Sequence, residues 1–135
     1  MKKINIGIIG QGRSGHGIHS ASLKRPKLRE RFNVVGVADL DPDRCKESAE
    51  AFGCKTHGDW RGLIADTSID LVVNALPTTG HIPVSIAALE AGHDVLCEKP
   101  LGRTLADVAK LEEVISKSGR FFAVFPQSRF APTFC

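Results

Sequence analysis

Six residues, Gly10-Gln11-Gly12-Arg13-Ser14-Gly15, restrict the fold of this chain more than any other segment. They match the pattern G-x-G-x-x-G and open on the last residue of the nearly all-apolar run Ile4-Asn5-Ile6-Gly7-Ile8-Ile9-Gly10, which reads as the first strand. A helical pattern from about Arg13 to Leu23 comes next. Taken alone the pattern is weak, because glycine-rich turns arise often by chance. Placed between a strand and a helix, it acquires a mechanism. Gly10 permits the tight turn, Gly12 lets a diphosphate approach the backbone, and Gly15 lets the helix pack closely on the strand. The exposed N–H groups and the positive end of the helix dipole then face the phosphates, with Arg13 and Ser14 inside the same candidate cradle. The competing reading is a strand-to-helix turn that holds nothing.

The rest of the chain repeats this alternation. Asn33 to Asp39 reads as a second buried strand, and Asp41-Pro42 as the N-cap and first-turn proline of a helix that Gly53 closes. Lys55 to His57 is a weak third strand, after which Asp59 caps a short helix with Trp60, Leu63 and Ile64 on one face. Ile69 to Leu76 is the fourth strand, stopped by Pro77. A helical stripe of Val84, Ala87, Ala88 and Ala91 ends at Gly92, and Asp94 to Cys97 is the fifth strand. Thr104 with Asp107 starts the next helix in the manner of a capping box. Leu105, Val108, Leu111 and Ile115 are expected to bury, Gly119 to end the helix, and Arg120 to Phe125 to form the sixth strand. Six strands separated by helices predict an α/β fold, a doubly wound parallel sheet with helices on both faces and right-handed crossovers. The expected strand order is 3-2-1-4-5-6. With 135 residues, the chain amounts to one domain spanning 1–135.

Composition narrows the function. Lys and Arg outnumber Asp and Glu by only 18 to 15, a weaker and more dispersed excess than dedicated nucleic-acid binders carry. The one basic cluster, Lys24 to Arg31, reads as a solvated helix end and loop. No apolar run approaches the roughly 20 residues that span a bilayer, and the start does not have the pattern of a signal peptide. Cys45, Cys54, Cys97 and Cys135 form no C-x-x-C, so they are expected to be reduced thiols in a cytoplasmic protein. His16 with His19 and Cys54 with His57 lack a second pair at zinc spacing, and no metal is expected.

Asp39 ends the second strand, 24 residues beyond Gly15. There a carboxylate can accept hydrogen bonds from the adenosine ribose hydroxyls and would repel a 2′-phosphate. It therefore argues for NAD, with NADP as the alternative should Arg13 or Arg44 swing in. A plain turn residue is the other reading of Asp39.

Three further stretches carry a resemblance. Leu76-Pro77-Thr78-Thr79-Gly80-His81, Ala87-Ala88-Leu89-Glu90-Ala91-Gly92 and Val95-Leu96-Cys97-Glu98-Lys99-Pro100-Leu101 together resemble the Gfo/Idh/MocA oxidoreductase family, in its N-terminal NAD(P)-binding Rossmann domain. The resemblance implies that Lys99 is catalytic at the junction of nicotinamide and substrate. It implies that Glu98 positions this lysine and borders the nicotinamide ribose. Leu76 and Thr78 should run along the cofactor, with His81 shaping that wall from the start of the next helix. Gln127, Arg129 and Phe130-Ala131-Pro132 resemble the exit towards a second α+β domain, which the chain is expected to lack. The implied reaction transfers hydride between a nicotinamide dinucleotide and a hydroxyl-bearing carbon of a sugar, cyclitol or polyol. The substrate would enter through the missing domain, a homo-oligomer is one form of the parent, and the chain alone should bind cofactor with little turnover. A non-catalytic module that senses the cofactor and acts through a protein partner is the alternative.

Overall fold

The computed structural model describes residues 2–125. Six strands, β1 (Ile4–Ile9), β2 (Phe32–Ala38), β3 (Lys55–His57), β4 (Leu71–Asn74), β5 (Asp94–Glu98) and β6 (Phe122–Phe125), form one sheet in the order β3-β2-β1-β4-β5-β6. Every neighbouring pair runs parallel. The expected order is thus observed. Strand ends differ from expectation by a residue or two, most at β4, and differences of that size carry little weight.

Helix α1 covers residues 13–23, with a π-helical stretch Gly15–Ser20 that hands over to α-helix at Ala21–Leu23. A short α2 (Pro26–Arg29) follows, then α3 (Pro42–Phe52), α4 (Trp60–Ile64), α5 (Thr78–Glu90) and α6 (Leu105–Ser118). The caps act as the sequence predicts. Asp41, Asp59 and Thr104 accept from the N–H of Asp43, Arg61 and Asp107. The basic cluster falls on the end of α1 and on α2, with its charged side chains exposed.

Alternating strand residues feed two cores, one on each face of the sheet. Ile6, Ile8, Val34, Val37 and Val73 pack with Leu23 of α1 and with Cys45 and Phe52 of α3. Ile9, Ala38, Val72, Val95 and Cys97 pack with Leu63 of α4, with Ile82, Val84, Ala88 and Leu89 of α5, and with Leu111 of α6. Two expectations about these helices hold only in part. On α5 the buried side is His81, Ile82, Val84, Ser85, Ala88 and Leu89, while Ala91 is exposed. This helix is covered by both the sheet and α6, so its buried arc is wider than a single stripe. On α6 burial fades towards the N-terminus, from Leu111 at 1% exposed to Leu105 at 89%. Leu105 sits on the first turn, which runs beyond the packed layer.

Candidate cofactor crevice

The loops that follow β1, β2, β4 and β5 all leave the same edge of the sheet, on either side of the switch point between β1 and β4. In open α/β sheets ligands bind in a crevice of this kind. The glycine turn opens it. Gly10 has φ +86° and donates its N–H to Ala38 O at 2.8 Å, and a Cβ there would stand 2.7 Å from Ala75 O. A Cβ on Gly15 would run into the carbonyl oxygen of Gly10. The fold itself therefore demands both glycines. Gly12 is different, since a Cβ there would meet only Arg44 Nη1, at 3.7 Å. Nothing in the described chain requires glycine at that position, and the open ground above it suits a ligand that approaches the backbone.

Asp39 stands just past β2. Its Oδ2 accepts the Gln11 N–H at 2.7 Å and its Oδ1 the Asp41 N–H at 2.8 Å. The carboxylate thus ties the glycine turn to the start of α3, and each oxygen keeps a lone pair for a further donor. Arg44 lies 4.0 Å from Asp39 and 3.6 Å from Asp41, so its charge is divided between two carboxylates. Between Asp39 and the β4 loop is a cleft of about 520 Å³, lined among others by Trp60, Arg61, Leu76, Pro77 and Thr79. Arg61 lies over the Trp60 ring at 4.5 Å and pairs with Asp59 at 3.0 Å.

The far wall is built from below. Asn74, fully buried at the end of β4, has three acceptors, Gly80 O, His81 O and Ser85 Oγ, at 3.1–3.2 Å to share the two N–H groups of Nδ2, and it accepts the Leu76 N–H at 3.3 Å. Leu76, half-buried, is held on the wall of the cleft by this clasp, while Thr78, also half-buried, lines a neighbouring cavity between α5 and α6. His81 lies on the first turn of α5, at the helix start as expected, and faces inward. It is 2% exposed, with Nε2 2.7 Å from Leu76 O and Nδ1 2.6 Å from Pro100 O. Carbonyl oxygens only accept, so a ring nitrogen of His81 that carries a proton donates to the carbonyl it faces. Its place is inside the wall, strapping the β4 loop to the β5 loop.

At the end of β5, Lys99 is exposed, and its peptide bond to Pro100 is cis. The Lys99 N–H donates to Glu98 Oε2 at 3.3 Å. Glu98 is buried, and its Oε1 lies 2.7 Å from His19 Nε2 of α1. Cys97 below them is a structural thiol, its pKa pushed up to about 11 chiefly by burial.

The strand order therefore puts the segments carrying Gly10, Gly12, Arg13, Ser14, Gly15, Asp39, Leu76, Thr78, Glu98 and Lys99 at one end of the sheet, where Asp39 and Leu76 line the cleft and His81 is buried in the wall. Gln127, Arg129, Phe130, Ala131 and Pro132 lie outside the described residues. Sequence reasoning missed Asn74, Trp60 with Arg61, and His19 as site residues. Asn74 at the end of an apolar strand was the one legible signal, because a buried amide there must find partners. Among the described residues no three His, Cys, Asp or Glu side chains gather to hold a metal ion, and no helix is long and apolar enough to cross a membrane.

The pattern of the Gfo/Idh/MocA family, described as an oxidoreductase family with an NAD-binding Rossmann fold, matches residues 4–125. The chain is 37% identical to levoglucosan dehydrogenase of Pseudarthrobacter phenanthrenivorans over 112 residues, 77% of this chain and 28% of that protein. It is 36% identical to inositol 2-dehydrogenase 2 of Saccharopolyspora erythraea over 133 residues, 97% of this chain and 38% of that protein. The crystal structure of the WlbA dehydrogenase from Chromobacterium violaceum, in complex with NADH and UDP-GlcNAcA, superposes with a TM-score of 0.90 at 28% identity, covering 99% of this chain and 38% of that one. The chain thus spans well under half the length of these relatives.

Proposed function

Since the chain belongs to the Gfo/Idh/MocA oxidoreductase family, we propose that its crevice binds NAD in the service of a dehydrogenase. That enzyme acts on a hydroxyl-bearing carbon of a sugar, cyclitol or polyol. The observation that carries this reading is Gly12, a glycine that the fold does not need and a diphosphate does. The diphosphate takes the ground above Gly12, against the first turn of α1 with Arg13 and Ser14. Asp39 accepts from the adenosine ribose, Leu76 and Thr78 line the path, and Glu98 faces the second ribose. When bound, the nicotinamide supplies a hydride acceptor. Lys99 takes the hydroxyl proton, or stabilises the developing oxyanion, at the carbon that gives up hydride. The relatives named for dehydrogenation of levoglucosan and inositol support the substrate class. Substrate selection, turnover and any association of copies are assigned to the length that relatives carry beyond the matched part. A cytoplasmic setting belongs to the same reading, supported by the free thiols of Cys45, Cys54 and Cys97.

NAD is preferred over NADP because Asp39 repels a 2′-phosphate and the nearest cation, Arg44, is already shared by two carboxylates. The test is fluorescence titration of the chain with NADH and NADPH. NADH should bind more tightly, and Asp39→Ala should weaken NADH about tenfold while narrowing the preference. Lys99→Met should leave NADH affinity within about twofold, because the amine serves chemistry and not anchoring. Tighter NADPH binding by the parent chain would reverse the cofactor choice, and uptake of neither would remove the reading altogether.

A further inference from the structure

Lys99 is flanked by two residues, and each is held by a buried histidine. On one side His19 Nε2 meets Glu98 Oε1 at 2.7 Å, with the two side chains 7% and 6% exposed. On the other, His81 Nδ1 meets the Pro100 carbonyl at 2.6 Å. His81 lies beside its partners in the crevice wall, whereas His19 arrives from 79 residues away. It does so on the π-helical stretch Gly15–Ser20, directly after the glycine turn. A π turn holds one residue more than an α turn, and such insertions are frequent at functional sites. In this stretch Gly15, His19 and Ser20 are the buried residues, and the His19 and Phe125 rings meet in a T-shaped contact with centroids 5.1 Å apart.

Stability alone is a poor reason for this pair. A buried imidazole–carboxylate contact gains little over an apolar pair of similar volume, because both groups lose their hydration. What the pair does accomplish is orientation. With Oε1 occupied by His19 and Oε2 turned to the Lys99 N–H, the Glu98 carboxylate cannot rotate without breaking a contact. We propose that His19 is a positioning residue: it fixes the Glu98 carboxylate as an acceptor for the nicotinamide-side ribose and, through it, the backbone of Lys99. The proposal rests on the reading of Glu98 and Lys99 given above. Without His19, a nearly buried carboxylate has lost its main partner, and it relieves that loss by turning or by taking up a proton. Either response spoils it as an acceptor for a ribose hydroxyl.

The effect should be confined to one end of the cofactor, which separates positioning from a general role in the fold. NADH reaches Glu98, whereas ADP carries only the adenosine and diphosphate part. Affinities for NADH and for ADP would be measured calorimetrically on the parent chain, on His19→Leu and on His19→Gln, whose amide N–H can reach the same oxygen. His19→Leu should weaken NADH about tenfold and leave ADP within about twofold, while His19→Gln should stay within about threefold of the parent for both. If His19→Leu is recovered unfolded, His19→Asn, too short to reach Glu98, takes its place with the same expectation. Unchanged NADH affinity in the Leu variant, equal losses of NADH and ADP, or a Gln variant as weak as the Leu variant would each overturn the proposal. A parent chain that binds neither ligand would instead overturn the reading of the crevice, and this inference with it.

Discussion

The three glycines of the first turn do different work, and substitution should separate them. Gly15→Ala places a methyl group against the Gly10 carbonyl, a backbone atom that cannot swing aside. Such a clash should cost about 2 kcal/mol or more, read as a lower denaturation midpoint in urea. Gly12→Ala meets only the end of the Arg44 side chain, so its midpoint should stay unchanged or rise slightly as the unfolded chain loses freedom. Its NADH affinity should nevertheless fall about tenfold or more, because the methyl group would occupy the approach proposed for the diphosphate. A Gly12→Ala chain that binds NADH like the parent would place the ligand elsewhere. These residues were legible in the sequence because their requirement is local: a strand, a turn and a helix in immediate succession. His19 was not legible as a site residue. Its partner is distant in the chain, and the π stretch that carries it leaves no pattern in residue types.

Helix α6 poses the same question for an element. A stripe of Leu105, Val108, Leu111 and Ile115 follows from helical spacing, but spacing says nothing about where the neighbouring layer ends. Leu111 lies within the core shared with α5 and the sheet, whereas Leu105 projects from the first turn into solvent. Leu111→Ala should therefore cost about 2–5 kcal/mol, and Leu105→Ala less than about 0.5 kcal/mol. Urea denaturation of the two variants measures the difference, and equal costs would contradict the packing described. On α5 the reading by hydrophobic spacing fell short for a second reason. Its buried face includes Ser85 and His81, polar residues satisfied by Asn74 and by main-chain carbonyls. An apolar pattern passes over such residues. Caps were the reverse case, since Asp41, Asp59 and Thr104 act within two or three residues of themselves.

At the scale of the molecule, the crevice is made from the ends of β1, β2, β4 and β5, four strands that span the sheet from its second position to its fifth. That order was legible because a parallel sheet admits few connections once its alternating elements are recognised. The consequence for binding is thermodynamic. The contacts proposed for the cofactor come from residues far apart in sequence, such as Gly12, Asp39 and Glu98, and no local segment can keep them together once the sheet opens. Binding should therefore stabilise the whole fold and not one loop. A ligand at a hundred times its dissociation constant adds about 2.7 kcal/mol when it binds only the folded state. For a chain of this size that raises the thermal midpoint by about 5–10 °C. Thermal unfolding followed by circular dichroism should show one transition, shifted upward by NADH in proportion to the logarithm of its concentration. His19→Leu should reduce the shift at a fixed NADH concentration without reducing the smaller shift that ADP produces. A transition split in two by NADH would mean that the cofactor holds only part of the sheet, and that these four strand ends do not act as a single site.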